Sequence, residues 1–120
     1  MAATTSTVLV TGANGFLGSW CVKKLLERDN VVVHATARGT AEEVKAKTEH
    51  LRAMYATCPS RLKVFACDLL VPGSFDDAIK GCDVVLHTAS PFFIGGADYT
   101  KEKLLQPAVD GTMNVLLACS

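Results

Sequence analysis

The sequence has no surplus of charge of either sign. Its 120 residues carry 12 Lys and Arg against 12 Asp and Glu, a formal net charge of zero, and no basic block, which argues against a nucleic-acid surface. No apolar run approaches the length of a membrane span. The opening stretch Met1 to Ser6 is short, polar and free of charged side chains, so it is neither a signal h-region nor an Arg-rich transit peptide. Five cysteines, Cys21, Cys58, Cys67, Cys82 and Cys119, form no C-x-x-C pair and meet no histidine at zinc spacing. An odd count without a secretory signal points to reduced thiols in the cytoplasm, most of them small buried hydrophobes, and neither a disulfide nor a metal site is expected. Repeats, linkers and low-complexity segments are also missing. What is left is one compact domain or a piece of one, 49% hydrophobic and able to bury a core.

The most informative stretch runs from Thr7 to Gly18. A short apolar run, Val8-Leu9-Val10, feeds a turn with glycines at Gly12, Gly15 and Gly18, and a helical pattern follows through Trp20, Cys21, Val22, Leu25 and Leu26. A side chain in such a turn would block a pyrophosphate from the backbone N–H groups and the positive end of the helix. Spaced glycines also serve plain strand-to-helix connections, but their place between a strand and a helix favours a dinucleotide ligand.

Apolar runs and helical patterns then alternate, as in a parallel sheet covered by helices on both faces. Strands are expected near Thr7–Thr11, Val31–Thr36, Leu62–Cys67 and Asp83–Thr88, with four helices between and after them. Thr40-Ala-Glu-Glu43 is a capping box for the second helix, along which Val44, Leu51, Met54 and Tyr55 recur at helical spacing. Ser74 is expected to cap a short third helix that Gly81 stops, and Pro107 to open the fourth. Right-handed crossovers predict a doubly wound α/β sheet of order 3-2-1-4, with the ligand crevice at the carboxyl ends of strands one and four. The sheet is incomplete, and the edge of strand four is expected to be open.

In a dinucleotide fold the residue after strand two reports on the adenosine ribose. An acidic residue binds the 2′-hydroxyl and a basic one pairs a 2′-phosphate. Arg38 occupies that place and favours NADP over NAD unless it is an ordinary solvated loop arginine. Lys45 offers a second positive charge, or simply belongs to a solvated helix face with Glu42, Glu43 and Lys47. Asp68 follows strand three, where it either accepts from the adenine amino group, with Leu69 against the ring, or bonds its own backbone in a turn. Thr88, Ala89 and Ser90 end strand four near the nicotinamide half. His87 is expected to be structural. Tyr99 and Lys103 have the spacing of a proton-donating pair, but they precede the fourth helix and are taken as coincidence.

Together, Thr11-Gly-Ala-Asn-Gly-Phe-Leu-Gly-Ser-Trp20, Arg38, Asp68-Leu69, His87-Thr-Ala-Ser-Pro91 and Pro107-Ala-Val-Asp-Gly-Thr-Met-Asn-Val-Leu116 resemble the amino-terminal part of an extended short-chain dehydrogenase/reductase. The resemblance is to the dihydroflavonol and cinnamoyl-CoA reductase group within the epimerase/dehydratase superfamily. It implies a Rossmann-type domain over residues 1–120 in which Gly12, Gly15, Phe16 and Leu17 meet the pyrophosphate and Gly18 lets the helix pack on the sheet. It further implies that Arg38 selects NADP(H), that Asp68 and Leu69 hold adenine, and that Thr88, Ala89 and Ser90 face the nicotinamide ribose. The last helix resembles one that such enzymes place in a homodimer interface. The family's catalytic Ser or Thr, its Tyr-x-x-x-Lys and its substrate domain would lie beyond Ser120, so no catalytic residue is expected here. The expected function is the NADP(H)-binding portion of a reductase acting on a small carbonyl substrate. The alternatives are a non-catalytic nicotinamide-binding protein and an NAD-dependent nucleotide-sugar epimerase or dehydratase fragment, the latter disfavoured by Arg38.

Overall fold

The structure, a computed structural model, describes residues 5–54, 59–89 and 101–120, with residues 59 and 101–104 described by their backbone alone. Four strands, β1 (Ser6–Thr11), β2 (Val31–Ala37), β3 (Leu62–Ala66) and β4 (Val84–His87), form one sheet in the order β3-β2-β1-β4. Every pairing is parallel, with Val8 opposite Val33 on one side and Val84 on the other. The expected topology is therefore observed. Among the described residues no strand pairs with the outer edge of β4, where Val84 is 49% exposed.

The pleat divides the core. Val8 and Val10 on β1, with Val33 and Ala35 on β2, pack against Val22 and Leu26 of α1 (Phe16–Leu26) and Leu51 of α3 (Glu49–Met54). Leu9, whose side chain points to the other face, packs with Phe75, Ala78 of α4 (Asp76–Ile79) and Val115 of α5 (Lys101–Cys119). A β1 buried on both faces explains why its sequence is an unbroken apolar run. His34 faces the same layer as Leu9, where its Nδ1 donates to the Ala78 carbonyl at 2.7 Å and its ring lies 5.1 Å from that of Phe65.

The Thr40–Glu43 capping box starts α2 (Ala41–Lys47) as expected. Thr40 Oγ1 accepts from Glu43 N at 3.2 Å, and Glu43 Oε1 accepts from Thr40 N at 3.4 Å. Three expectations need correction. The second helix is two helices, because the buried Thr48 leaves helical geometry while its hydroxyl donates back to the Val44 carbonyl at 2.7 Å. Ser74 does not cap α4; its hydroxyl instead accepts from Asp68 N at 2.8 Å. Pro107 lies inside α5, not at its start. Its missing N–H removes one backbone bond, which does not stop a helix whose inward stripe continues through Gly111, Asn114, Val115 and Ala118. Tyr55 lies outside the described residues.

Candidate functional site

At the carboxyl ends of the strands lies a cavity of about 270 Å³. Its floor is the turn joining β1 to α1. Gly12 sits there at φ 64°, and a Cβ on it would stand 2.9 Å from Ala89 Cα, so glycine satisfies both the backbone conformation and the close approach of the segment that follows β4. At Gly18 a Cβ would run into the Gly12 carbonyl, with Ala13 Cα only 2.9 Å away. Helix α1 thus rests directly on the turn. Its N-cap, Gly15, supplies no side-chain hydrogen bond to the first-turn N–H groups.

Thr11 ties the turn to β4. Its fully buried hydroxyl accepts from Thr88 N at 3.0 Å and Ala89 N at 3.1 Å and lies 2.7 Å from His87 Nδ1. Two N–H donors fill the two hydroxyl lone pairs, so its proton goes to His87 Nδ1 and the neutral ring carries hydrogen on Nε2. Thr88 Oγ1 donates in return to the Thr11 carbonyl. His87 remains exposed on one side, and desolvation of the side bonded to Thr11 lowers its pKa below the usual 6.5, consistent with a neutral, structural ring.

The far wall comes from β2 and β3. Arg38 Nε and Asp68 Oδ2 are 3.9 Å apart, with side chains 61% and 36% exposed. Asp68 Oδ1 accepts from Leu70 N at 2.9 Å, so the turn role is realised while the carboxylate still lines the cavity. Cys67, whose thiol is pushed up to about 11 by burial and then by Asp77, is a neutral part of this wall and no nucleophile.

Of the residues singled out in the sequence, the cavity brings together Gly12, Gly15, Arg38, Asp68, Leu69, Thr88 and Ala89. Gly18 lies beneath the turn, and Phe16 and Leu17 are 87% and 62% exposed at the start of α1. Lys45 does not line the cavity. It is Lys47 that reaches the Arg38 segment, donating from Nζ to the Arg38 carbonyl at 2.8 Å. Ser90 and the Tyr99 and Lys103 side chains lie outside the described residues. Sequence reasoning missed Asn14, Thr36, Ala37, Cys67, Leu70 and Phe75 in the lining, and Thr11 behind it. Thr11 was recoverable, since a polar residue ending an apolar strand beside a glycine turn needs a partner on the neighbouring strand. Phe75 carried no such signal.

A family model described as the NAD dependent epimerase/dehydratase family matches residues 8–120. The chain belongs to that family. Within it, the chain is 45% identical over 119 residues to a putative anthocyanidin reductase of Ginkgo biloba, covering 99% of this chain and 33% of that one. It is 41% identical over 114 residues to a dihydroflavonol 4-reductase of Gerbera hybrida, covering 95% and 30%. The chain thus spans about a third of the length of the curated relatives it matches. Its fold is shared with an NADPH-bound carbonyl reductase from chicken fatty liver, at a TM-score of 0.72 and 21% identity over 98% of this chain and 48% of the other. Among the described residues no helix is long and apolar enough to cross a membrane, and no group of three His, Cys, Asp or Glu is placed to hold a metal.

Proposed function

We propose that this chain is the NADP(H)-binding portion of a reductase that transfers hydride to a ketone or aldehyde carbon. One observation carries the reading: a single cavity joins an uncapped helix start and a turn with glycine at Gly12 and Gly15 to a guanidinium at the end of β2. The residues fit the dinucleotide. The pyrophosphate would take the first-turn N–H groups of α1, the 2′-phosphate would take Arg38, and adenine would lie by Asp68 and Leu69. Thr88 and Ala89 would face the nicotinamide ribose. Bound NADPH supplies the hydride. The described residues supply binding and orientation, and none of them is assigned as the proton donor.

Titration with NADPH and NADH tests the reading. NADPH is expected to bind more tightly, and Arg38→Glu to remove that preference. Equal affinities in the unaltered chain would favour the NAD-dependent epimerase reading. We also propose a homodimer through α5, supported by an outward strip in which Leu105, Val109, Met113 and Leu116 are each about half exposed. Sedimentation velocity of the Met113→Glu variant tests that pairing, with a shift to monomer expected. The free thiols of Cys21, Cys67, Cys82 and Cys119 support placing the protein in the reducing cytoplasm.

A further inference from the structure

We infer that helix α5, which lines no part of the cavity among the described residues, sets the position of its adenine-side wall through Asn114 and Gly111. The inference rests on the nucleotide reading above. Asn114 Nδ2 donates to the Leu69 carbonyl at 2.6 Å. Gly111, three residues earlier and so on the same helix face, is buried, and a Cβ there would stand 3.1 Å from Leu69 Cβ. Leu69 itself lines the cavity between Asp68 and Leu70.

Beyond Cys67 N, which donates to the Ala37 carbonyl at 3.0 Å and anchors the start of the segment to β2, the other hydrogen bonds fixing it are short-range. Leu70 N donates to Asp68 Oδ1, Val71 N to the Asp68 carbonyl, and Asp68 N to Ser74 Oγ. These bonds give the turn its shape without fixing how far it leans over the cavity. The lean is set from two sides. Arg38 approaches Asp68 from β2 at the edge of ion-pair distance, while α5 holds Leu69 from behind by one bond and one close contact. The two α5 features act in opposite directions. The Asn114 amide draws the Leu69 carbonyl toward the helix, and the missing side chain at Gly111 makes room for Leu69 to stay there. Losing the amide releases the wall, and filling the space at Gly111 pushes Leu69 toward the cavity. Asn114 and Gly111 are accordingly positioning residues for the adenine end and touch no ligand themselves.

The test uses the full chain and three probes: NADPH, adenosine 2′,5′-bisphosphate and nicotinamide mononucleotide. Asn114→Asp is nearly isosteric but presents an oxygen to the Leu69 carbonyl. It and Gly111→Ala are each expected to weaken adenosine 2′,5′-bisphosphate and NADPH about three- to tenfold and to leave nicotinamide mononucleotide unchanged. The ratio of the two half-ligand affinities is the deciding readout, because a purely structural role shifts the melting temperature and leaves that ratio alone. Asn114→Gln, which keeps a donor, is expected to restore part of the loss and serves if Asn114→Asp does not fold. An unchanged ratio in the folded variants overturns this inference alone. Failure of the unaltered chain to bind any adenine nucleotide overturns it together with the nucleotide reading.

Discussion

At the β1–β4 end of the cavity backbone packs on backbone, whereas at the β2–β3 end the cavity is bounded by side chains that reach into water. Gly12 and Gly18 leave no room for a single added carbon, and the Thr11 hydroxyl that holds His87, Thr88 and Ala89 beside them is fully buried with every hydrogen-bonding valence used. Arg38 and Asp68 are exposed and barely in contact. One end therefore holds its shape before a ligand arrives, and the other holds charge in readiness. Substitutions at the first should act on stability, and those at the second on ligand choice.

The largest effect is expected at Gly18. In Gly18→Ala the new Cβ meets the Gly12 carbonyl and Ala13 Cα, backbone atoms that cannot rotate aside. Strain of this kind costs about 1–3 kcal/mol, sometimes more, and here it opens the turn as well. Urea denaturation is expected to show the loss along with weakened NADPH binding. An unchanged midpoint would mean that the packing of α1 on the turn is looser than the geometry requires.

Thr11→Val comes next. The side chain keeps its shape, but the half-buried Thr88 and Ala89 N–H groups lose their acceptor; water takes up part of the loss, so the two together cost about 1–3 kcal/mol. Thr11→Ser keeps the hydroxyl and is expected to lie well above Thr11→Val in denaturant stability. Equal losses in the two would assign the effect to the methyl group and not to the hydrogen bonds.

These two ends also differ in how far the sequence revealed them. The sheet order, the glycine turn and the Thr40 capping box were legible because each is a local rule: a period, a cap residue or a spacing. Arg38 and Asp68 were legible because each lies within two residues of a strand's carboxyl end, and strand ends converge on the crevice. Residues acting across the fold were not. Thr11 works through a neighbour 76 residues away, and Asn114 through one 45 residues away. Ser74 looked like a cap because a serine before a helix usually is one, but the N–H of Asp68 claims its hydroxyl. Lys45 looked suited to a phosphate, yet the helix turns Lys47 toward the Arg38 segment. Helical phase decided that difference, and charge alone does not report it.

At the exposed end the expected effects shift from stability to selectivity. Charge-assisted hydrogen bonds contribute about 1.5–3 kcal/mol, so Arg38→Glu is expected to weaken NADPH by roughly ten- to a hundredfold and NADH far less. The NADPH preference of the unaltered chain should also shrink as salt rises. A parallel loss for both cofactors would remove Arg38 from the phosphate site.

A smaller effect separates the ends by pH. The His87 pKa is lowered in the fold by burial, so below its ordinary value of about 6.5 the unfolded chain takes up a proton that the folded one resists. The stability contributed by the neutral ring is thus fully present above that value and lost as pH falls from it toward the folded pKa. Protonation also places a third donor against the Thr11 hydroxyl. The unaltered chain is expected to lose stability between neutral pH and pH 5 more steeply than His87→Gln, as followed by thermal melts. Identical slopes would show that the ring is not held neutral.

The smallest expected effect concerns the Arg38–Asp68 pair as a source of stability. At 3.9 Å between Nε and Oδ2, with both side chains more than a third exposed, its Coulomb gain is screened by water and offset by the entropy of fixing a long side chain. Exposed pairs of this kind contribute about 0–1 kcal/mol. Arg38→Gln is therefore expected to leave the urea midpoint within that range while still losing NADPH preference. A stability loss as large as that of Thr11→Val would erase the contrast between the two ends, because the guanidinium would then be part of the scaffold and not a group held free for an incoming phosphate.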